Sequence, residues 1–348
     1  MPLALLYGLI TAFRNKLYDR GILKSYQSSI FSICIGNLQV GGTGKTPHTA
    51  WMYNWLSMHF KVGILSRGYG RKTKGLIEAN ENAIPTSIGD EPYWYYNTLK
   101  NAKVVVAEKR VIGMQYFEKQ KPLLDFILLD DAFQHRALKC NLNIILSEYE
   151  RLYIDDKMMP QGRLREWKTG EKRAEIIIVS KCPANLTLNK KIDLIHAINP
   201  FEYQDVFFTS LMPSLPFVLK GNAKFDTKNM RQIIAVSGIA NNKSFIELCN
   251  RYSSDVRPIS YPDHYNYTIQ DINEIVALVN EGSIIITTEK DAVKLKTAPF
   301  LSLLPENKVF VLPIVPMLLF NEEEKFKQLL MQYHRKRLNP ISEKSVVF

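Results

Sequence analysis

The stretch GNLQVGGTGKT, residues 36–46, decides the fold. It follows the apolar run 30–35 and precedes a segment of helical pattern from 49 to 60. A glycine-rich turn between a strand and a helix is the setting that a phosphate-binding loop requires. Glycines let main-chain N–H groups face phosphate oxygens, and the helix N-terminus adds a favourable dipole. In that reading Gln39, Val40, Gly41, Gly42, Thr43 and Gly44 wrap the phosphates of ATP. Lys45 reaches the β- and γ-phosphates, and Thr46 offers its hydroxyl to Mg2+. Pro47 falls in the first helical turn, where a missing N–H is tolerated. The strict pattern GxxxxGK[ST] asks for glycine at position 39, which here is Gln39. The match therefore lies in GGTGKT and its context.

Outward from the loop, short apolar runs alternate with helical patterns. Strands are expected at 30–35, 62–65, 104–107, 126–129, 142–146 and 176–180, with helices at 49–60, 92–100 and 110–118. Continuous apolar strands separated by helices mean a mostly parallel sheet covered on both faces, an α/β fold of the P-loop NTPase kind. The segment 205–220 differs: two apolar runs are broken by Pro213 and Pro216, and it reads as a hairpin linker. A second alternation follows, with strands at 232–237, 256–261, 283–287 and 309–312 and helices at 241–251, 268–280 and 321–337. The expected partition is an apolar N-terminal helix (1–25), a P-loop domain (26–204), the linker (205–220) and a smaller α/β domain (221–348) that contributes to the cleft.

Length and composition agree with two globular units: 348 residues, 46% hydrophobic and 23% charged. The four cysteines form no CxxC pair, which fits a reduced, cytoplasmic chain. The net charge of +11 favours anionic partners. No nucleic-acid-binding pattern accompanies it, so nucleic acid is not an expected partner. The start, MPLALLYGLITAF followed by Arg14, Lys16, Arg20 and Lys24, is too short to span a bilayer. It also lacks the basic start and cleavage site of a secretory signal. Leu3, Leu6, Ile10, Phe13 and Leu17 share a helical face, while Leu5 and Leu9 spread the apolar surface. Such a helix is buried either in the core or in an anionic membrane surface. Each large apolar side chain would contribute about 1.5–3 kcal/mol on full burial, and each nearby basic residue about 1 kcal/mol on an anionic leaflet.

A Mg2+-binding acid is expected at the end of a later apolar strand, and FILLDD (126–131) supplies Asp130 and Asp131. Adjacent carboxylates repel unless a cation or donors compensate. After the strand at 176–180 the chain reads SKCP rather than NKxD, which argues against a GTPase. Partition ATPases carry KGGxGKT; the lysine's place is taken by Val40, so a nucleotide-switched, membrane-associated ATPase that phosphorylates no acceptor is the runner-up reading.

Further phrases look built for chemistry: SRGYGR (66–71), GDEP (89–92), LLDDAFQH (128–135), LRE (164–166), GIAN (238–241), DHYNY (263–267) and TEKDAVK (288–294). Together with GNLQVGGTGKTP (36–47), their order resembles the tetraacyldisaccharide 4'-kinases, the lipid A 4'-kinases. The resemblance runs from the N-terminal helix to about residue 294. One departure is Ala132, where the family phrase has glycine. The resemblance implies transfer of the ATP γ-phosphoryl group to the 4'-hydroxyl of an acylated glucosamine disaccharide 1-phosphate. It implies a peripheral or monotopic enzyme at the cytoplasmic face of the inner membrane. It also implies that Asp90 works with His264. Physically, Asp90 can accept the hydroxyl proton while His264 holds Asp90 in place or raises its basicity. An N-cap role for Asp90 is compatible. Candidate Mg2+ partners are Thr46, Asp130, Asp131 and Glu166. Candidate acceptor contacts are Arg67, Arg71, Gln134, His135, Arg163 and Arg165. A monomer is expected.

Overall fold

The computed structural model describes residues 2–338 apart from 229, 240, 241 and 264. In chain order the strands of the first sheet are β1 (Phe31–Asn37), β2 (Val62–Ser66), β3 (Ile77–Glu78), β4 (Lys103–Val106), β5 (Phe126–Asp130), β6 (Leu142–Glu148), β7 (Ile176–Ser180) and β8 (Asp205–Pro213). The second sheet holds β9 (Phe217–Val218), β10 (Gln232–Ser237), β11 (Val256–Ser260), β12 (Ser283–Thr288) and β13 (Val309–Leu312); β14 (Ile314–Leu318) then returns to the first. The first sheet runs β14-β8-β7-β6-β1-β5-β2-β4-β3, parallel throughout except at its two edges. The second runs β9-β13-β12-β10-β11, with only β9 antiparallel.

The central strands are apolar on both faces because both faces are covered. Every residue of β1 and β5 is buried. Alternate side chains go to opposite cores, as a pleated strand requires: Ile33 and Ile35 join one cluster and Cys34 the other. β1 lies between β5 and β6, with Ile35 beside Asp130 and Asn37 beside Leu146. The carboxyl ends of the parallel strands thus gather the phosphate loop and the acidic pair on one edge, where open α/β sheets bind ligands.

The expected hairpin at 205–220 is divided between the sheets. Asp205–Phe208 pair in parallel with Ile176–Val179, and Thr209–Pro213 pair with Ile314–Leu318 instead of with their own continuation. β9 pairs with β13. The physical reason is that β7 would otherwise be an unpaired sheet edge. The two connections between the sheets, 214–216 and the step at Pro313, run side by side; Ser214 N–H donates to the Pro313 carbonyl.

Helix α1 (Pro2–Asp19) does not bury its apolar face. Leu5, Leu6, Leu9, Ile10 and Phe13 are 55–67% exposed, whereas Ala4 and Gly8 face the protein. A Cβ on Gly8 would meet the Trp167 ring at 2.8 Å, so glycine permits the close approach. Core packing is therefore excluded for those five side chains. No helix among the described residues is long and apolar enough to cross a membrane.

Candidate active site

The phosphate loop leads from β1 into helix α2 (Lys45–Leu56). Gly41 and Gly44 have φ of 120° and 86°, a region that a side chain disfavours. The loop is held from outside. Asn37 donates to the Thr43 hydroxyl at 3.1 Å, and Ser180 donates to the Thr43 carbonyl at 2.8 Å. Val40 N–H donates to the Arg163 carbonyl and Arg165 N–H to the Leu38 carbonyl, both at 2.8 Å. Gln39, buried, gives its amide to Asp156 at 2.7 Å and to the Arg151 carbonyl at 3.3 Å. Where the strict pattern has glycine, this chain thus uses a side chain to brace the loop.

The acidic pair ends β5 beside the loop. Asp131, in the left-handed region (φ 49°), accepts two bonds from Arg165 at 2.9 and 3.0 Å and lies 3.7 Å from Lys45 Nζ. Burial pulls its carboxyl up, but Lys45 and then Arg165 outweigh that and hold it below the usual carboxylate range. The left-handed residue of this turn is Asp131, so Ala132 in place of glycine introduces no strain. Asp130 is 1% exposed, and neither of its oxygens is paired at ordinary hydrogen-bond distance, the Tyr95 hydroxyl being the one nearby donor that favours its charge. Burial, then the charges of Glu91 and Asp131, push it up to about 8. A buried carboxyl left unpaired at ordinary distance and facing other acids fits a divalent cation. No complete cage of three or more His, Cys, Asp or Glu groups exists among the described residues. A cation there would take its remaining ligands from phosphate and water.

Helix α3 (Asp90–Thr98) brings two acids to this edge. Gly89, not Asp90, is its N-cap residue; Asp90 begins the helix. Glu91 accepts from the Thr46 hydroxyl at 3.3 Å. Glu91 was not singled out from sequence, although its place beside Asp90 in the first turn was visible. Helix α4 (Glu289–Leu295), on the second sheet, packs against α3. Lys294, buried, donates to the Tyr265 carbonyl at 2.7 Å and lies 3.6 Å from Asp90 Oδ2. Asp90 is thus at the seam between the two sheets. His264 lies outside the described residues.

The remaining candidates separate by surroundings. Gln134 donates to the Asn37 carbonyl at 2.8 Å and to Glu166 at 3.1 Å. The His135 ring accepts from Arg110 N–H at 3.2 Å, and burial, with Arg110, Arg67 and Arg14, lowers it to about 4, so it is neutral. Arg67 and Arg163 are exposed. Arg71 is turned inward: it pairs with Glu108 and the Gly75 carbonyl, both at 2.5 Å, and pins its own loop rather than reaching outward. Glu166, 1% exposed, is engaged by Arg173 at 2.8 and 2.9 Å, by Gln134, and by Asn15 of α1 at 2.7 Å. It anchors the loop after Arg165. Arg110 was missed from sequence; fully buried, it donates to the Ala107 carbonyl at 2.8 Å, and burial lowers it to about 10. A cation at the first position of a helix opposes the dipole, and that was the available signal.

Comparison with known proteins adds three findings. A family model described as tetraacyldisaccharide-1-P 4'-kinase matches residues 1–335. Curated relatives bearing the name tetraacyldisaccharide 4'-kinase include one from Bacteroides thetaiotaomicron, 37% identical over 356 residues, covering 96% of this chain and 92% of its own. Another, from Flavobacterium johnsoniae, is 37% identical over 341 residues and covers 97% of both chains. A crystal structure of LpxK from Aquifex aeolicus in complex with ATP superposes with a TM-score of 0.75 at 31% identity, covering 96% of this chain and 98% of that one.

Proposed function

The chain belongs to the tetraacyldisaccharide-1-P 4'-kinase family, and on that premise we propose how its residues carry the ATP-dependent lipid A 4'-kinase reaction. The observation that supports the reading best is the cluster at the sheet edge: Lys45, Thr46, Asp130 and Asp131 converge beside a loop whose carbonyls are tied outward. The loop amides at 41–46 hold the ATP phosphates, and Lys45, poised by Asp131 at 3.7 Å, reaches the β- and γ-oxygens. Thr46 and Asp130, with Glu91 alongside, are the residues that would hold Mg2+. When bound, that ion neutralises charge developing on the β- and γ-phosphate oxygens.

The acceptor hydroxyl is a poor nucleophile and loses its proton as the new P–O bond forms. Asp90 accepts that proton, with His264 as its partner by family resemblance. Arg165, fixed on Asp131, and Arg67 and Arg163, exposed nearby, supply positive charge for phosphate groups. The second sheet, taken as a separate unit, closes over Asp90 through α4 and excludes water. The exposed apolar face of α1 rests on an anionic membrane surface, at the cytoplasmic face of the inner membrane, where the acylated disaccharide 1-phosphate resides. The ATPase reading without an acceptor is not favoured, since family and site point together to transfer.

The test is phosphate transfer from radiolabelled ATP to the disaccharide acceptor in detergent with Mg2+. Labelled glycolipid is expected, and Asp90→Ala should lose about two to four orders of magnitude in turnover. ATP binding without any labelled glycolipid would sink the proposal, and full turnover in Asp90→Ala would remove Asp90 from the base role.

A further inference from the structure

We infer that His48 is a positioning residue that holds the phosphate loop in its binding conformation. The inference rests on the reading that residues 41–46 hold ATP phosphates. His48 lies one turn into α2 and is 1% exposed. Its Nδ1 is 2.7 Å from the Gly44 carbonyl, and its Nε2 is 3.0 Å from the Thr209 hydroxyl. A carbonyl only accepts, so Nδ1 carries the hydrogen and Nε2 accepts from Thr209. The ring is therefore a fixed strut between the loop and β8.

The Gly44 carbonyl and the Lys45 N–H are opposite ends of one planar trans peptide. Fixing the carbonyl on one side fixes the N–H on the other. A peptide next to glycine turns over cheaply, because glycine populates positive and negative φ alike. In a nucleotide loop that freedom would aim a carbonyl oxygen at an anion. The preceding peptide is restrained in the same way, its Thr43 carbonyl held by Ser180 at 2.8 Å. Two consecutive carbonyls are thus tied outward: that of Thr43 from β7, and that of Gly44 by two bonds of His48, its main-chain N–H at 3.2 Å and its ring, which is itself held from β8.

Thr209 also gives the strut its reach. It lies in β8 opposite Leu318 of β14, and β8 and β14 are the strands that lead to and from the second sheet. Leu211 of β8 lies 3.8 Å from where a Cβ on Gly44 would be. The order of the phosphate loop is therefore linked to the strands that carry the closing sheet.

The experiment is equilibrium binding of a fluorescent N-methylanthraniloyl-ATP to the full chain with Mg2+, alongside melting temperature and the KM for the acceptor. His48→Asn retains a donor near the Nδ1 position and should bind within about threefold of wild type. His48→Gln retains reach to Thr209 but loses the side-chain bond to Gly44, keeping only the main-chain one, and should bind about five- to tenfold more weakly, with the acceptor KM unchanged. Thr209→Val, similar in shape, should weaken binding about threefold and add nothing in the His48→Gln background. Equal affinity for the Asn and Gln variants, or losses that track melting temperature alone, would overturn the inference. Failure of the wild-type chain to bind the analogue would instead overturn the reading of the loop on which it rests.

Discussion

Replacing Gly36 by alanine should disable the enzyme while leaving it folded. Gly36 is the second-to-last residue of β1, directly before the loop. A Cβ built there would lie 2.5 Å from Phe133 Cβ and 3.2 Å from Phe133 N. Ordinary contact begins near 3.4 Å, so strand and turn must part by about 0.9 Å. No rotamer relieves the clash, because both partners are Cβ or backbone atoms. β1 is held on both sides by β5 and β6, so the turn at 131–135 must move. That turn carries Asp131, bonded to Arg165 and near Lys45, and Gln134, bonded to Asn37 and Glu166. Overpacking of this kind costs about 1–3 kcal/mol of stability. A displacement near 1 Å at a reacting constellation costs about 100-fold in rate. Calorimetry should show a folded chain melting a few degrees lower, and acceptor phosphorylation should fall about 100-fold. Gly42→Ala is the contrast: a Cβ there meets nothing within 4 Å, so stability should hold while ATP affinity falls. Wild-type turnover in a folded Gly36→Ala would refute the argument that this contact sets the acidic turn.

Two further expectations follow from groups at the margins of the site. Burial pushes Glu289 up to about 7 from 4.5, the bond from Ile314 N–H pulling it only partly back. Between those values the folded chain keeps a proton that the unfolded chain has released, so stability falls as pH rises through that window. Glu289→Gln keeps an acceptor for Ile314 and should match wild type near pH 4 but gain up to about 3 kcal/mol by pH 8; an equal difference at both values would count against it. Leu9→Glu with Phe13→Glu, both on the exposed face of α1, should leave the melting temperature unchanged. Sedimentation with phosphatidylglycerol vesicles should drop at least about tenfold, given roughly 1.5–3 kcal/mol per buried side chain. Unchanged sedimentation would take α1 out of membrane binding.

Much of the fold was legible locally. Strands 176–180, 232–237 and 309–312 were read with the bounds observed, because an apolar run bounded by polar residues is a local signal. The helix after β12 was not anticipated, since seven residues at Glu289–Leu295 carry too little periodicity. β14 was missed because Pro316 disguises it; an edge strand tolerates proline. Within the site, the loop and the acidic pair were visible as strand-end motifs. The arginines were not separable by sequence: Arg71 and Arg165 are alike in composition and setting, yet one holds Glu108 and the other Asp131.

The sequence by itself determined the parallel sheet, the phosphate loop and the acidic pair, because each depends on residues within one strand and its adjoining turn. The tertiary structure alone decided which charges are supports and which remain for chemistry. Glu91 against Thr46, Asn15 against Glu166, Lys294 beside Asp90 and His48 against Thr209 join residues 45, 151, 204 and 161 positions apart. No local pattern encodes such pairs, since they exist only once the sheets and their connecting strands have packed.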